Sequence, residues 1–513
     1  MHHLNNKTIP VLICGAGPVG LSLSLALSRL GVDNLLVEKH PGTSIHPKAR
    51  GVNVRTMELM RLWGLESAVR THELPAQALR FLWLESVQGG IIGEINLNES
   101  AFNDSPTRSC FVTQNFIEQE LLNKLLQHAN STINFSTQLT SLQQHNNFVE
   151  CALFNKNTQT SEIIRCQYLV AADGAHSFIR NSLNIKMHGI ENMSSNLSVL
   201  CETNLAPLLS DKLSVVAVLT EKSLRGKFIM AVDFKHRWII AQRIEHAQQT
   251  FSKEYCTQLV RTVSGKHDLP VGVINTSIWE IAALNAETYQ KDRVLLAGDA
   301  AHRIPPTGGM GMNIGIQDAH NLAWKLAYVI NGYADPLLLE SYQEERQPLA
   351  QFTVDWSATN GLRIRGMFEA LDRDDQVAFQ EKLSLQRKQL NHRGLDLGFI
   401  YGLTENLDPD QYQPSTIPGA RAPHCEIRMN GKSLSTLDLF ERDFVLLTGP
   451  DYNPDTMLSS LPIPRNYPLK CYRLSHDFTD VYKKFKLLYN ISDQGAVLIR
   501  PDGHVAWRTR SGK

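Results

Sequence analysis

The chain has 513 residues, 42% hydrophobic and 20% charged, a globular composition too apolar for disorder and long enough for roughly two to four domains. Lys+Arg and Asp+Glu both number 51, so no overall field gathers polyanions, and neither nucleic acid nor an anionic membrane is the expected partner. The eight cysteines are scattered and form no CxxC or other metal-ligand spacing; they read as thiols in a reducing compartment, with no metal site and no disulfide framework. No apolar run approaches the ~20 residues that span a bilayer, and a cytoplasmic protein is expected.

The first apolar stretch, 9–14, runs straight into a glycine turn with no cleavage pattern, and 10–14 suits a buried core strand. A helix over 18–30 and a strand over 34–38 follow, and further strands are predicted at 163–171 and 293–297. Between about 186 and 285 short β-branched and aromatic runs (213–220, 227–233, 237–243) separated by turn residues predict an inserted, mainly antiparallel sheet. Trp238, Ile240 and Gln242 share one face of it and read as sheet core sooner than as pocket lining. Helices are predicted at 319–331 and 337–352. A Pro-, Gly- and Arg-rich stretch at 415–423 marks a boundary. Beyond it come a strand at 443–447, a helix at 481–489, a strand at 496–499, and a Pro501-Asp502-Gly503 turn into a strand at 504–508.

Three segments carry chemistry. Gly15-Ala16-Gly17-Pro18-Val19-Gly20 is a GxGxxG turn between strand and helix, with Glu38 about 20 residues on at the next strand end. Gly15 makes the turn and Gly17 admits a pyrophosphate. Gly20 lets helix meet strand, and Glu38 accepts from ribose hydroxyls. This pattern binds a dinucleotide, NAD or FAD alike. Asp173-Gly174 ends a second strand and on its own reads as an ordinary strand-turn-helix. The run 294–313, VLLAGDAAHRIPPTGGMGMN, is more specific: Gly298-Asp299 closes a buried strand, Pro305-Pro306 sets an extended turn, and Gly308, Gly309 and Gly311 bare the backbone before a helix. A planar ligand with an electron-rich edge suits such a loop.

In this order and spacing the three segments resemble the class A flavoprotein aromatic hydroxylases, in the branch of phenol, chlorophenol and aromatic polyketide hydroxylases with a C-terminal thioredoxin-like domain. The resemblance covers nearly the whole chain. It implies an α/β fold: a Rossmann-like FAD-binding domain (1–185 with an excursion near 76–110, then 286–400), an inserted antiparallel substrate sheet (186–285), and a thioredoxin-like domain (415–513) without CxxC, serving packing or a homodimer contact. It implies FAD held by Gly15, Gly17, Pro18, Gly20, Glu38, Lys48, Gln114, Asp173 and Asp299, with Pro306, Gly309, Gly311, Met312 and Asn313 beside the flavin ring. A second GxGxxG is absent from the sequence, so NAD(P)H docks transiently as co-substrate.

The implied reaction is hydroxylation of a phenolic or polyphenolic ring by O2 through a flavin hydroperoxide. The alternatives are modification of a polyketide or antibiotic, and a non-catalytic flavin-binding module. Arg50 stands where phenol hydroxylase carries an acid; it either holds a phenolate or the flavin, or is a salt-bridging loop residue. His302 is either a proton relay or a structural histidine.

Overall fold

Strands Asn34–Val37 and Val294–Leu296 are buried at every position and Ile9–Cys14 at all but one, a pattern that only a sheet covered on both faces satisfies. In the computed structural model, which describes residues 8–97, 103–403, 407–452 and 461–511, they form the centre of the first sheet. Residues 1–7 and 512–513, the outer ends of the first and last expected domains, and 98–102, inside the expected excursion, lie outside the described residues. The sheet order is Gln290–Lys291, Val294–Leu296, Thr160–Ala171, Ile9–Cys14, Asn34–Val37, Ser131–Asn134, the last five mutually parallel. A hairpin, Thr137–Gln144 with Val149–Asn155, pairs with the outer half of Thr160–Ala171. Helix Pro18–Arg29, buried from Gly20 to Ser28, packs between this sheet and helices Gln114–Leu125 and Gly311–Ile330.

The second sheet runs His302–Arg303, Gly272–Ala286, Met187–Glu202, Arg237–Ile244, Lys227–Ala231, Val216–Leu219, Arg80–Leu84, Ile91–Asn96. Its neighbours are antiparallel except Val216–Leu219 beside Arg80–Leu84. Alternate residues divide its two faces. Leu197, Val199, Trp238 and Ile240 build a core with helix Lys253–Ser264, while Asn196, Ser198, Ala241 and Arg243 face a cavity shared with the first sheet. Trp238 and Ile240 are thus core, and Gln242 bonds the Tyr255 hydroxyl at 2.6 Å.

The fold class is the expected one, with local differences. Helix Lys253–Ser264 interrupts the region read as sheet: Ser252 caps it on Tyr255 N, Gly265 ends it at φ 67°, and Cys256, Leu259, Val260 and Val263 make its buried stripe. The helix read over 337–352 begins at Glu340 and continues to Asp372, because the buried positions Val354, Ser357, Ala358, Met367 and Ala370 prolong its inner face. The helix read over 481–489 shortens to Phe485–Tyr489, since the Asp480 carboxylate accepts from the amides of Tyr482 and Phe485 and turns the chain first. Among the described residues no helix is long and apolar enough to cross a membrane, and no group of His, Cys, Asp or Glu is placed to hold a metal. All eight cysteines are free thiols.

The C-terminal domain is a four-stranded sheet (Leu469–Arg473, Phe444–Thr448, Ala496–Ile499, Val505–Thr509) with a smaller sheet at one side. Buried ion pairs hold it to the rest. Glu58 accepts from Arg421 Nε at 2.9 Å and from Arg421 Nη2, and also from Arg55 at 2.9 Å and Ser105 Oγ at 2.7 Å. Arg500 bonds Glu345 at 2.6 and 2.9 Å, and Lys325 joins that carboxylate at 2.8 Å. Burial alone would raise the Glu58 pKa, but Arg421 and Arg55 outweigh it and hold the carboxyl at about 2.

A carboxyl held below its unfolded pKa stabilises the fold above that value, and the contribution fades as pH falls toward the folded pKa. Thermal unfolding of Arg421→Met should therefore show a loss of about 3 kcal/mol at neutral pH, from a buried carboxylate left with Arg55 and Ser105 as its partners. The gap to wild type should narrow as pH drops from about 4.5 toward 2.

Candidate active site

The first turn of the first sheet is built on backbone contact. A Cβ on Gly15, whose φ is +107°, would lie 2.2 Å from the Ala172 carbonyl oxygen, and one on Gly20 would lie 1.9 Å from the Gly15 oxygen. Both positions therefore exclude every other residue, and Gly20 sits behind the turn, outside the cavity. Gly17 is the opposite case: its φ is −74°, a Cβ there would meet nothing within 4 Å, and the residue lines the cavity with Pro18. It begins helix Pro18–Arg29 without a side-chain cap or an acid in the first turn, leaving that positive terminus open to an anion. Glu38 closes the turn, accepting from Ala16 N at 2.8 Å and His40 N at 2.9 Å.

One cavity of about 2390 Å³ runs from this turn to the face of the second sheet. Lys48, Gln114, Asp173, Asp299, Pro306, Gly309, Gly311, Met312 and Asn313 all line it. Asp299 opens to the cavity but is ringed by protein, and that burial raises its pKa against the pull of His302, Lys48 and Arg303. Asp173 accepts from Ile179 N at 3.3 Å and has its other oxygen buried without a partner; burial raises its pKa too. Gln114 staples the segment before Arg50: its amide nitrogen donates to Ala49 O at 2.8 Å, its side chain accepts from Ala49 N at 3.3 Å and donates to Glu118 at 2.6 Å. Asn313, 1% exposed, donates to Gly51 O at 3.0 Å and Gly309 O at 2.8 Å and accepts from Asn53 N at 3.0 Å. It locks the glycine loop against the same segment.

Arg50 lines the cavity, donates to Ala231 O at 2.6 Å, and makes no ion pair among the described residues. Burial pushes its pKa down to about 10, so it remains a cation at neutral pH. The apolar walls beyond it include Phe81, Val216, Phe228, Met230, Leu362 and Phe368.

The structure does not bring His302 to the cavity. It has no exposed surface, and its Nε2 lies 2.7 Å from the Asp318 carboxylate, which also accepts from Arg346 Nε at 2.7 Å. Of the four histidines that line the cavity among the described residues, His40, His46, His176 and His392, His46 is the buried one, and nothing in the sequence singled it out. No local pattern marks it, because its partners come from two distant strands: Ser198 Oγ is 2.9 Å from Nε2 and Asn275 Oδ1 is 3.2 Å from Nδ1. Burial, aided by Lys48 and Arg50, lowers its pKa to about 4. Glu118, buried on the cavity wall and accepting from Ser44 N at 2.7 Å, was likewise not foreseen.

Residues 8–357 match the FAD binding domain family, and residues 415–513 match the aromatic-ring hydroxylase C-terminal family. The chain belongs to the FAD-binding aromatic-ring hydroxylases. A 4-methyl-5-nitrocatechol 5-monooxygenase of Burkholderia sp is 33% identical over 98% of this chain and 94% of its own. A tetracenomycin B2 monooxygenase-dioxygenase of Streptomyces olivaceus is 32% identical over 98% and 95%. The crystal structure of the flavin-dependent monooxygenase PieE with FAD and substrate superimposes with a TM-score of 0.90 at 27% identity, over 99% of this chain and 96% of that one. The chain is thus a flavoprotein monooxygenase acting on an aromatic substrate, which sets aside the reading as a non-catalytic flavin module.

The residues present fit FAD on this structure's own geometry: the open space over Gly17, two uncapped helix starts at Gly17 and Met310, and the unpartnered oxygen of Asp173. Gly17→Val should still fold, since backbone and surroundings accept a side chain, losing about 1 kcal/mol because valine is a poor helix N-cap, yet purify without yellow colour. Asp299→Ala should lose flavin on gel filtration. The ratio of visible to ultraviolet absorbance reads both, and full flavin content in either variant contradicts the placement.

Proposed function

We propose that the protein uses NAD(P)H and O2 to hydroxylate a phenolic or polyphenolic ring, with the ring bound between Arg50 and the apolar face of the second sheet. The observation that carries this reading is the continuity of one cavity from the fingerprint turn, past the glycine loop, to Arg50. FAD when bound supplies hydride acceptance and oxygen transfer; the chain supplies binding, orientation and exclusion of water. Gly17 and the open helix start hold the pyrophosphate, Glu38, Lys48, Gln114, Asp173 and Asp299 flank the remainder, and Pro306 to Asn313 support the ring. Arg50 stabilises the ionised form of the substrate hydroxyl, which activates the ring toward an electrophilic oxygen. The apolar walls keep bulk water from the reacting carbon.

A polyketide or another fused-ring antibiotic as substrate is the second reading, supported by the extent of the chamber and by the tetracenomycin-acting relative. The cytoplasm as its compartment is supported by eight free thiols, and a homodimer completes the proposal, to be read by sedimentation.

Oxygen uptake by the FAD-loaded chain, across phenols and fused polyphenols with and without catalase, tests the reaction. Stimulated uptake that catalase does not return signals oxygen insertion; return of half the oxygen consumed, the full yield when every O2 has become peroxide, signals an oxidase and refutes it. Arg50→Met should keep its flavin and lose about 10- to 100-fold in kcat/KM, with the loss smallest at alkaline pH where the free phenol is already ionised.

A further inference from the structure

One hydrogen-bonded chain on the cavity wall has no part in the reading above. Ser198 on strand Met187–Glu202 and Asn275 on strand Gly272–Ala286 both line the cavity, and both bond the ring of His46. The side-chain oxygen of Asn275 only accepts, so Nδ1 of His46 carries the proton and donates to it. In the neutral ring Nε2 is then a bare acceptor, and the hydroxyl proton of Ser198 must point at it. No other hydrogen-bond acceptor engages Ser198 among the described residues. With its proton committed, the Ser198 oxygen can offer the cavity only lone pairs. The direction of every bond in the chain is set by the far end, at Asn275.

Arg50 has the opposite polarity, because a guanidinium only donates. The two points are also well apart. Ser198 is opposite Ala241, and Ala241 opposite Phe228, three residues from the Ala231 carbonyl that Arg50 holds. That is two strands across and three residues along, roughly 10 Å in each direction. An ionised oxygen suits one point and repels the other.

We propose that Ser198 is a specificity-determining residue, an acceptor oriented by His46 and Asn275 for a hydroxyl that the aromatic substrate keeps protonated, so that the preferred substrate carries at least two hydroxyls, one facing Arg50 and one donating to Ser198. This rests on the cavity being the site of ring hydroxylation. His46 and Asn275 act through Ser198 and are positioning residues. The charged groups around His46 reinforce the arrangement: Lys48 and Arg50 on its own segment oppose its protonation, while the strands packed against it bring Arg243 and Glu280 to the same cavity. Its pKa of about 4 keeps the ring neutral, and the Ser198 oxygen accepting, across the working range.

The test uses the FAD-loaded full chain and paired probes: dihydroxynaphthalenes and dihydroxyanthraquinones beside their mono-O-methyl ethers. Binding is read from the shift in flavin absorbance, and turnover from probe-stimulated oxygen uptake with NADH or NADPH. Wild type should prefer the diol over the ether by about tenfold or more, because the ether leaves a buried acceptor facing a methyl group, and the preference should be flat from about pH 6 to 9. Ser198→Ala should keep its flavin and reduce the preference to about threefold or less. Asn275→Asp places a carboxylate beside Nδ1 and raises the His46 pKa; once protonated, Nε2 donates to Ser198, whose hydroxyl then turns outward as a donor. In that variant the preference should weaken or invert as pH falls, a pH dependence that a merely structural histidine would not create. Equal binding of diol and ether by wild type, a preference that survives Ser198→Ala, or a flat profile in Asn275→Asp overturns the proposal. If no probe perturbs the flavin or stimulates uptake, ring hydroxylation itself falls and this assignment falls with it, an outcome distinct from stimulated turnover without discrimination.

Discussion

The glycine-loop end of the cavity is organised by one buried carboxylate. Asp318 has no exposed surface and accepts from His302, Arg346 and the amide of Gly298. Burial alone would raise its pKa, but Arg346 and His302 overrule that and hold it below the ordinary carboxylate range. Four elements meet there: the end of the strand that delivers Asp299, the short strand that enters the second sheet, the helix behind the glycine loop, and the long helix that walls the chamber. Leu296, Ile316 and Tyr342 from three of these elements share one apolar core, and Asp318 adds directional polar bonds to that packing. The position of Asp299 relative to the loop thus rests on packing and on this charge cluster together, and a buried charge pair of this kind is costly to break from either side.

A second set of contacts transmits that order to the Arg50 end. Asn313 ties the loop to the backbone at Gly51 and Asn53, and Asn53 in turn donates to Asp396 at 2.5 Å. The segment carrying His46, Lys48 and Arg50 is thus held from three directions: by the loop, by Gln114, and by the second sheet through Ala231, Ser198 and Asn275. Asp396 precedes the C-terminal domain, whose Arg421 neutralises Glu58 a few residues beyond Asn53. The C-terminal domain carries no CxxC, and its buried arginines complete the electrostatics of the helix that follows the Arg50 segment.

The first sheet was readable in the sequence because its signals are local. Glycine spacing, a strand without polar positions and an acid at fixed distance all follow from contacts within one turn, such as the Ala172 and Gly15 oxygens that forbid a Cβ. The glycine loop was readable for the same reason. What the sequence left open depended on partners far away in the chain. His302 shares its neighbourhood with Asp299 in sequence, but Asp318 and Arg346 turn it inward, away from the cavity. His46 gained its place from residues more than 150 positions downstream, which no local pattern records. The helix at Lys253–Ser264 was hidden by the β-branched residues on either side, although Ser252 and Gly265 bracket it with ordinary capping chemistry.

The second sheet interleaves two jobs along single strands: Leu197, Val199 and Ile240 belong to the core, while Ser198, Ala241 and Phe228 look into the chamber. Substitution at the chamber set leaves the core against helix Lys253–Ser264 untouched, so much of the chamber lining is free to change by point mutation, with Ala241 and Phe228 constrained by their packing against Leu200, Val232 and Ile239. Insertion or deletion has no such freedom, since gaining or losing one residue would exchange the two sets along the rest of the strand. The chamber can be re-tailored only in steps of two. Descendants of this chain should accordingly differ in what they oxidise while keeping strand lengths constant, and directed libraries confined to every second position should retain folded, yellow protein.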